Sequence, residues 1–114
     1  RLMEMNFGDW ELKAWEDIPK EEIQPWYDDF VSTETPNGDS FENLFFRCSS
    51  FLDELRKQNY DKILIVTHGG IVRSTWAYLL EIPLYNAFKI PVDYGDVLKI
   101  NLEKTPKEDA ILKK

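Results

Sequence analysis

The clearest pattern of apolar and polar positions lies between residues 40 and 58, where Phe41, Leu44, Phe45, Cys48, Phe51, Leu52 and Leu55 recur at three- and four-residue steps. That spacing gathers them on one face and predicts an amphipathic helix over 40–58. Asp39 with Glu42, or Ser40 with Asn43, supplies its N-cap. The period then changes. Residues 63–66, Ile-Leu-Ile-Val, form a continuous apolar run, which predicts a strand over 62–67 covered on both faces. The run stops at Thr67-His68-Gly69-Gly70, and Ile71, Val72, Trp76, Leu79 and Leu80 resume helical spacing over 69–81. Pro83 breaks the chain, 84–89 predicts another short helix, and Val97, Leu98, Ile100 and Leu102 mark a second strand within 92–102. The last dozen residues are charged and expected to be peripheral.

The pattern is less regular toward the start. Residues 1–12 read as an irregular segment around Gly8, and 13–18 as one or two helical turns. Pro19 followed by Lys20, Glu21 and Glu22 is a good helix opening. Pro25 limits or kinks that helix, Trp26, Tyr27 and Phe30 form an apolar cluster beyond it, and 33–38 is a loop. Two strands with three or four helices do not complete a covered sheet. The chain is therefore expected to be part of a larger α/β domain.

Composition narrows the function classes. The 114 residues allow one domain at most, and 43% hydrophobic with 14% aromatic content suffices for a packed core. A net charge of −7 argues against a nucleic-acid partner. The charge is uneven. Residues 1–44 carry twelve acidic against three basic side chains, net −9, and 45–114 carry nine against eleven, net +2, which reads as an acidic solvated surface on the first part. Cys48 is the sole cysteine, so no internal disulfide forms, and its place in the apolar stripe makes it a small core residue compatible with a reducing cytoplasm. No apolar run approaches the roughly 20 residues that span a bilayer, and no signal peptide opens the chain. A start at Arg1 rather than Met hints at processing or truncation.

The candidate chemistry sits at His68, the only histidine. In open α/β sheets ligands bind outside the carboxyl ends of strands. A glycine-rich turn into a helix aims backbone N–H groups at that crevice, which suits an anion, and paired glycines permit close backbone approach. His68 is thus set where a phosphate would be handled. A lone histidine is otherwise more often structural, and the strand–HGG–helix context is what raises this one.

Three segments, RLMEMNFGDWE at 1–11, PNGDS at 36–40 and VTHGGIVR at 66–73, resemble successive motifs of the histidine phosphatase superfamily, the phosphoglycerate-mutase-like enzymes, in order and spacing. Within it the first motif is most similar to that of bacterial α-ribazole phosphatases, which act late in cobalamin assembly. The resemblance implies a three-layer α/β/α sandwich, with 1–114 as the C-terminal portion of a single domain. It implies that His68 donates to the transferring phosphoryl group, that Glu4 protonates the leaving oxygen and then activates water, and that Gly69 adds a backbone donor toward substrate. The family's nucleophilic histidine and phosphate-clamping arginines belong to an Arg-His-Gly motif on a first strand, expected upstream of Arg1, and the chain alone is expected to be inactive. Two positions depart from the pattern. Gly-Asp-Ser at 38–40 replaces Gly-Glu-Ser, and Leu12 stands where the family has glycine after Trp-Glu, so the entrance loop is expected to differ.

Other residues read more simply. Arg47 and Arg73 could reach a phosphate, but helix packing or surface pairing is the plainer role, and Glu11 suits a structural bond to nearby backbone. Trp10, Trp15, Trp26, Tyr27 and Phe30 could wall an apolar leaving group or simply pack on one another. No cofactor is expected, nor a metal, because one histidine and one cysteine give no ligand spacing. The expected partner is a small phosphorylated substrate, with no nucleic acid and no membrane, in the cytoplasm; a homodimer stays open. A phosphoglycerate mutase, a broad sugar-phosphate phosphatase and a non-catalytic phosphate-binding module are the alternatives. His-Gly-Gly also suits an esterase oxyanion turn, but no Gly-x-Ser-x-Gly elbow occurs.

Overall fold

Ser40 settles where the longest helix begins. Its backbone is extended and its side chain accepts from the Asn43 N–H at 3.1 Å, which caps the helix Phe41–Arg56. Asp39, the other candidate, is spent elsewhere. In chain order the helices are α1 (Lys20–Asp28), α2 (Phe41–Arg56) and α3 (Gly69–Leu80), and the strands are β1 (Lys99–Asn101) and β2 (Ala110–Lys113). The cap of Ser40 therefore belongs to α2. Short 3₁₀ turns lie at Gly8–Trp10, Trp15–Asp17, Leu84–Lys89 and Pro106–Glu108. The computed structural model describes residues 1–113.

The predicted stripe of α2 packs on α3. Phe41, Leu44, Cys48 and Leu52 are buried with Ile71 and Ala77 of α3 and with Ala87 of the following turn. Each large side chain so buried contributes about 1.5–3 kcal/mol. Leu2 and Met5 pack against the same core, which ties the start of the chain to α2 and α3. Trp10, Ile18 and Ile23 form a second core with Phe7 and Trp26.

Four expectations change. The helix at α1 runs through Pro25 to Asp28, with Asp29 N–H bonded to the Pro25 carbonyl at 3.2 Å. A proline inside a helix removes one backbone bond, and Trp26, just past it, is held by ring contacts to Trp10, Trp15 and Phe30. Residues 62–68 form no ladder among the described residues. Leu64 and Val66 are 89% and 91% exposed, against 49% and 39% for Ile63 and Ile65. The two-residue alternation of a strand is there, but a strand needs edge partners that the described residues do not supply. The second strand shrinks to Lys99–Asn101, because Asp93–Asp96 closes a turn with Gly95 at φ +82°. Finally, the C-terminal stretch, exposed as expected over 103–108 and 110–112, gains a strand that its pattern did not predict. β2 pairs antiparallel with β1, Ile111 opposite Ile100. Asp109 is half-buried against Arg56 of α2, both oxygens bonded to the guanidinium at 2.8 Å.

No helix among the described residues is long and apolar enough to cross a membrane. The Cα radius of gyration is 15.5 Å, above the roughly 13 Å of a compact chain this long. The exposed extended segment and the two separate cores account for that excess.

Candidate active site

The start of α3 is the meeting point of the chain's two ends of chemistry. His68 is its N-cap residue, with extended backbone (φ −126°, ψ 163°), and its carbonyl accepts from the Val72 N–H at 3.0 Å. The imidazole makes no capping bond and is exposed. One free N–H of this first turn is met instead from far away in sequence. Glu4 Oε2 accepts from the Gly70 N–H at 3.0 Å, and Glu4 Oε1 from its neighbour Met5 N–H at 2.9 Å. A carboxylate at a helix N-terminus is also favoured by the helix dipole, by about 0.3–1 kcal/mol. Thr67 adds a second tie, its hydroxyl donating to the Leu2 carbonyl at 2.9 Å.

Gly70 makes this approach possible. A Cβ there would collide with Glu4 Oε1 and stand 2.8 Å from Leu44 Cδ2. Gly69 is different, since a Cβ there would meet only Arg73 Nη1, at 3.4 Å.

Glu4 is held from behind by the loops that carry the first two motifs. Asn6 N–H donates to Asp39 Oδ2 at 3.0 Å, and Asp39 N–H donates to the Asn6 carbonyl at 2.7 Å. Asp9 N–H reaches the Pro36 carbonyl at 2.8 Å, and Gly8, at φ +58°, lies so close that any Cβ would collide with that same oxygen. Arg47 completes the brace. It pairs with Asp39 at 2.8 Å and donates to the carbonyls of Met3 at 3.0 Å and Arg1 at 3.3 Å. The surface pairing expected of Arg47 is what it does. Glu11, as expected, accepts from nearby backbone, the Phe7 N–H at 2.8 Å.

Glu4, His68 and Gly69, the three residues singled out from the sequence, thus converge on one turn. Leu12, in the glycine position of the first motif, keeps a left-handed backbone at φ +64° although it is not glycine. Cys48 is no second nucleophile. Burial pushes its thiol pKa up, against a weaker opposing bond to Thr75, and only the thiolate attacks. The aromatic residues pack on one another, with Trp15 and Trp26 stacked at 5.6 Å. A groove of about 440 Å³ beside them is lined by Trp15, Asp17, Lys20, Ile23 and Tyr27 among others. It includes none of Glu4, His68 or Gly69, so the convergent polar groups, not the groove, mark the site. No group of His, Cys, Asp and Glu suited to a metal ion occurs among the described residues.

Comparison with known proteins gives a family and several relatives. The family model described as histidine phosphatase superfamily (branch 1) matches residues 1–108. "Putative phosphoserine phosphatase 2" of Hydrogenobacter thermophilus is 32% identical over 106 residues, which cover 90% of this chain and 52% of that protein. Adenosylcobalamin/alpha-ribazole phosphatase of Escherichia coli is 32% identical over 98 residues, covering 82% and 48%. Its counterpart from Salmonella typhimurium is 30% identical over 98 residues, with the same coverage. The chain spans about half the length of these curated relatives.

Proposed function

The chain belongs to the histidine phosphatase superfamily, and from that premise we propose that the whole protein hydrolyses phosphomonoesters through a phosphohistidine intermediate, with α-ribazole 5′-phosphate as its substrate, in the cytoplasm. The mixed helices and small sheet fit the α/β, phosphoglycerate-mutase-like fold of that superfamily. The observation that carries the mechanistic reading is the contact between Glu4 and the start of α3, which joins segments 66 residues apart beside the only histidine.

In this reading His68 donates to an oxygen of the transferring phosphoryl group, and Gly69 offers a backbone N–H. Both stabilise charge as it develops in a reaction governed by positioning and electrostatics. Glu4 gives a proton to the leaving oxygen as a nucleophilic histidine bonds to phosphorus, then takes one from the water that releases phosphate. His68 is the sole histidine of the 114 residues, so the nucleophile is supplied by the rest of the whole protein, and these residues alone are inactive. A helix N-terminus contributes roughly 0.3–2 kcal/mol toward an anion, short of the about 4 kcal/mol that even millimolar binding requires.

A second reading, phosphoserine as substrate, comes from the name of the Hydrogenobacter relative, which at 32% is as similar as the Escherichia coli one. The first motif favours α-ribazole phosphate. Specificity constants of the whole protein for α-ribazole 5′-phosphate, phosphoserine and 3-phosphoglycerate decide between them. We expect the first to exceed the others at least tenfold; a preference for phosphoserine would overturn the substrate assignment.

A further inference from the structure

The arginines differ in what holds them. Arg1 pairs with Glu54, Arg47 with Asp39 and Arg56 with Asp109. Arg73 rests instead on an aromatic ring, its guanidinium 5.0 Å from the centre of Phe88. Phe88 is itself fixed, with edge contacts to Phe30 and Phe41 at 4.9 Å each. The Arg73 Nε–H, like that of Arg56, is buried and meets no acceptor among the described residues, but Arg73 has no carboxylate on its fork there either. A buried donor left open in a native structure calls for a partner.

Direction supplies the partner's place. Long helical side chains lean back over the preceding turn, and Arg73 does so, bringing Nη1 within 3.4 Å of where a Gly69 Cβ would stand. The cation therefore lies along the first turn of α3, next to the residues assigned above to phosphate handling. Charge gives a reason. The Gly70 N–H is already taken by Glu4, and a doubly charged phosphate at this turn is held better with a cation nearby. A guanidinium stacked on a ring keeps its planar fork aligned for two oxygens.

We propose that Arg73 is a substrate-contacting residue, its guanidinium steadied by Phe88 and holding an oxygen of the phosphomonoester bound at His68. This rests on the phosphatase reading above. The test uses inorganic phosphate and p-nitrophenyl phosphate with the whole protein, wild type, Arg73→Gln and Arg73→Lys. Titration with inorganic phosphate should shift the Arg73 Nε–H resonance along with the Gly69 and Gly70 amides. Arg73→Gln should raise KM and weaken phosphate inhibition by about tenfold or more, with kcat changed far less and the melting temperature kept. Arg73→Lys, which retains charge without the fork, should fall between. If phosphate shifts the two glycine amides but not Arg73, and KM is unchanged in both variants, Arg73 only packs and the phosphatase reading stands. If phosphate shifts none of these signals and no ester is hydrolysed, the phosphatase reading falls and this inference with it.

Discussion

Gly70 is the residue on which the position of Glu4 depends. Replacing a helical glycine by alanine ordinarily stabilises by about 0.5–1 kcal/mol. Here the added methyl would strike Glu4 Oε1 and crowd Leu44 Cδ2, and overpacking of that kind costs about 1–3 kcal/mol. Gly70→Ala should therefore lose about 1–2 kcal/mol in urea unfolding, while Gly69→Ala, with only an ordinary contact to Arg73, should be neutral or stabilising. Equal effects would contradict the assignment of the close contact. Leu12 gives the opposite sign. Its left-handed backbone at φ +64° costs a non-glycine residue about 1–2 kcal/mol, and its side chain is fully exposed. Leu12→Gly forfeits no packing but adds freedom to the unfolded chain, so a net gain of up to about 1 kcal/mol is expected; a loss in the same unfolding assay would contradict it. The His-Gly-Gly turn was legible because a glycine doublet after an apolar run has few other uses. The open Nε–H of Arg73 was not, since nothing local in the sequence marks which arginine lacks a carboxylate.

Among the elements, α2 and α3 were readable to within two residues at each end, because their apolar periodicity and caps are local. Only the choice between Asp39 and Ser40 as cap needed the structure, and Asp39 proves to be the brace between Arg47 and Asn6. The last strand, β2, and its pairing with β1 were not readable. Its anchor, Asp109, meets Arg56 across 53 residues, and Tyr78 joins the cluster by accepting from Arg56 Nη2 at 2.8 Å and donating to Asp53 at 2.6 Å. The Arg56 guanidinium bonded to it holds the Asp109 carboxyl below the usual carboxylate range, against the opposing effect of burial. A carboxyl so depressed adds stability above its unfolded pKa, near 4, and loses it as pH falls through the folded value. Asp109→Asn should thus cost about 1–3 kcal/mol at pH 7, because it leaves the half-buried Arg56 charge without its carboxylate. The gap to wild type should narrow on acidification below about pH 4. A gap independent of pH would show that the pair contributes nothing through Asp109 ionisation.

For the whole molecule, strands are where sequence reading met its limit. A helix satisfies its backbone internally, whereas the apolar run at 63–66 becomes a strand only if edges pair with it. The described residues leave it extended and exposed, while three helices, a strand pair and the interlocked motif loops form without it. What the molecule does build completely is the approach of Glu4 to the His68 turn. The central claim is that this turn does the chemistry, and the most direct measurement is the turnover of p-nitrophenyl phosphate by the whole protein with and without His68→Ala. The ring is exposed and makes no capping bond, so the variant should keep its melting temperature. Turnover should fall by about 10² or more, the scale expected when a transition-state donor is removed. A folded His68→Ala protein turning over at near wild-type rates would contradict the account.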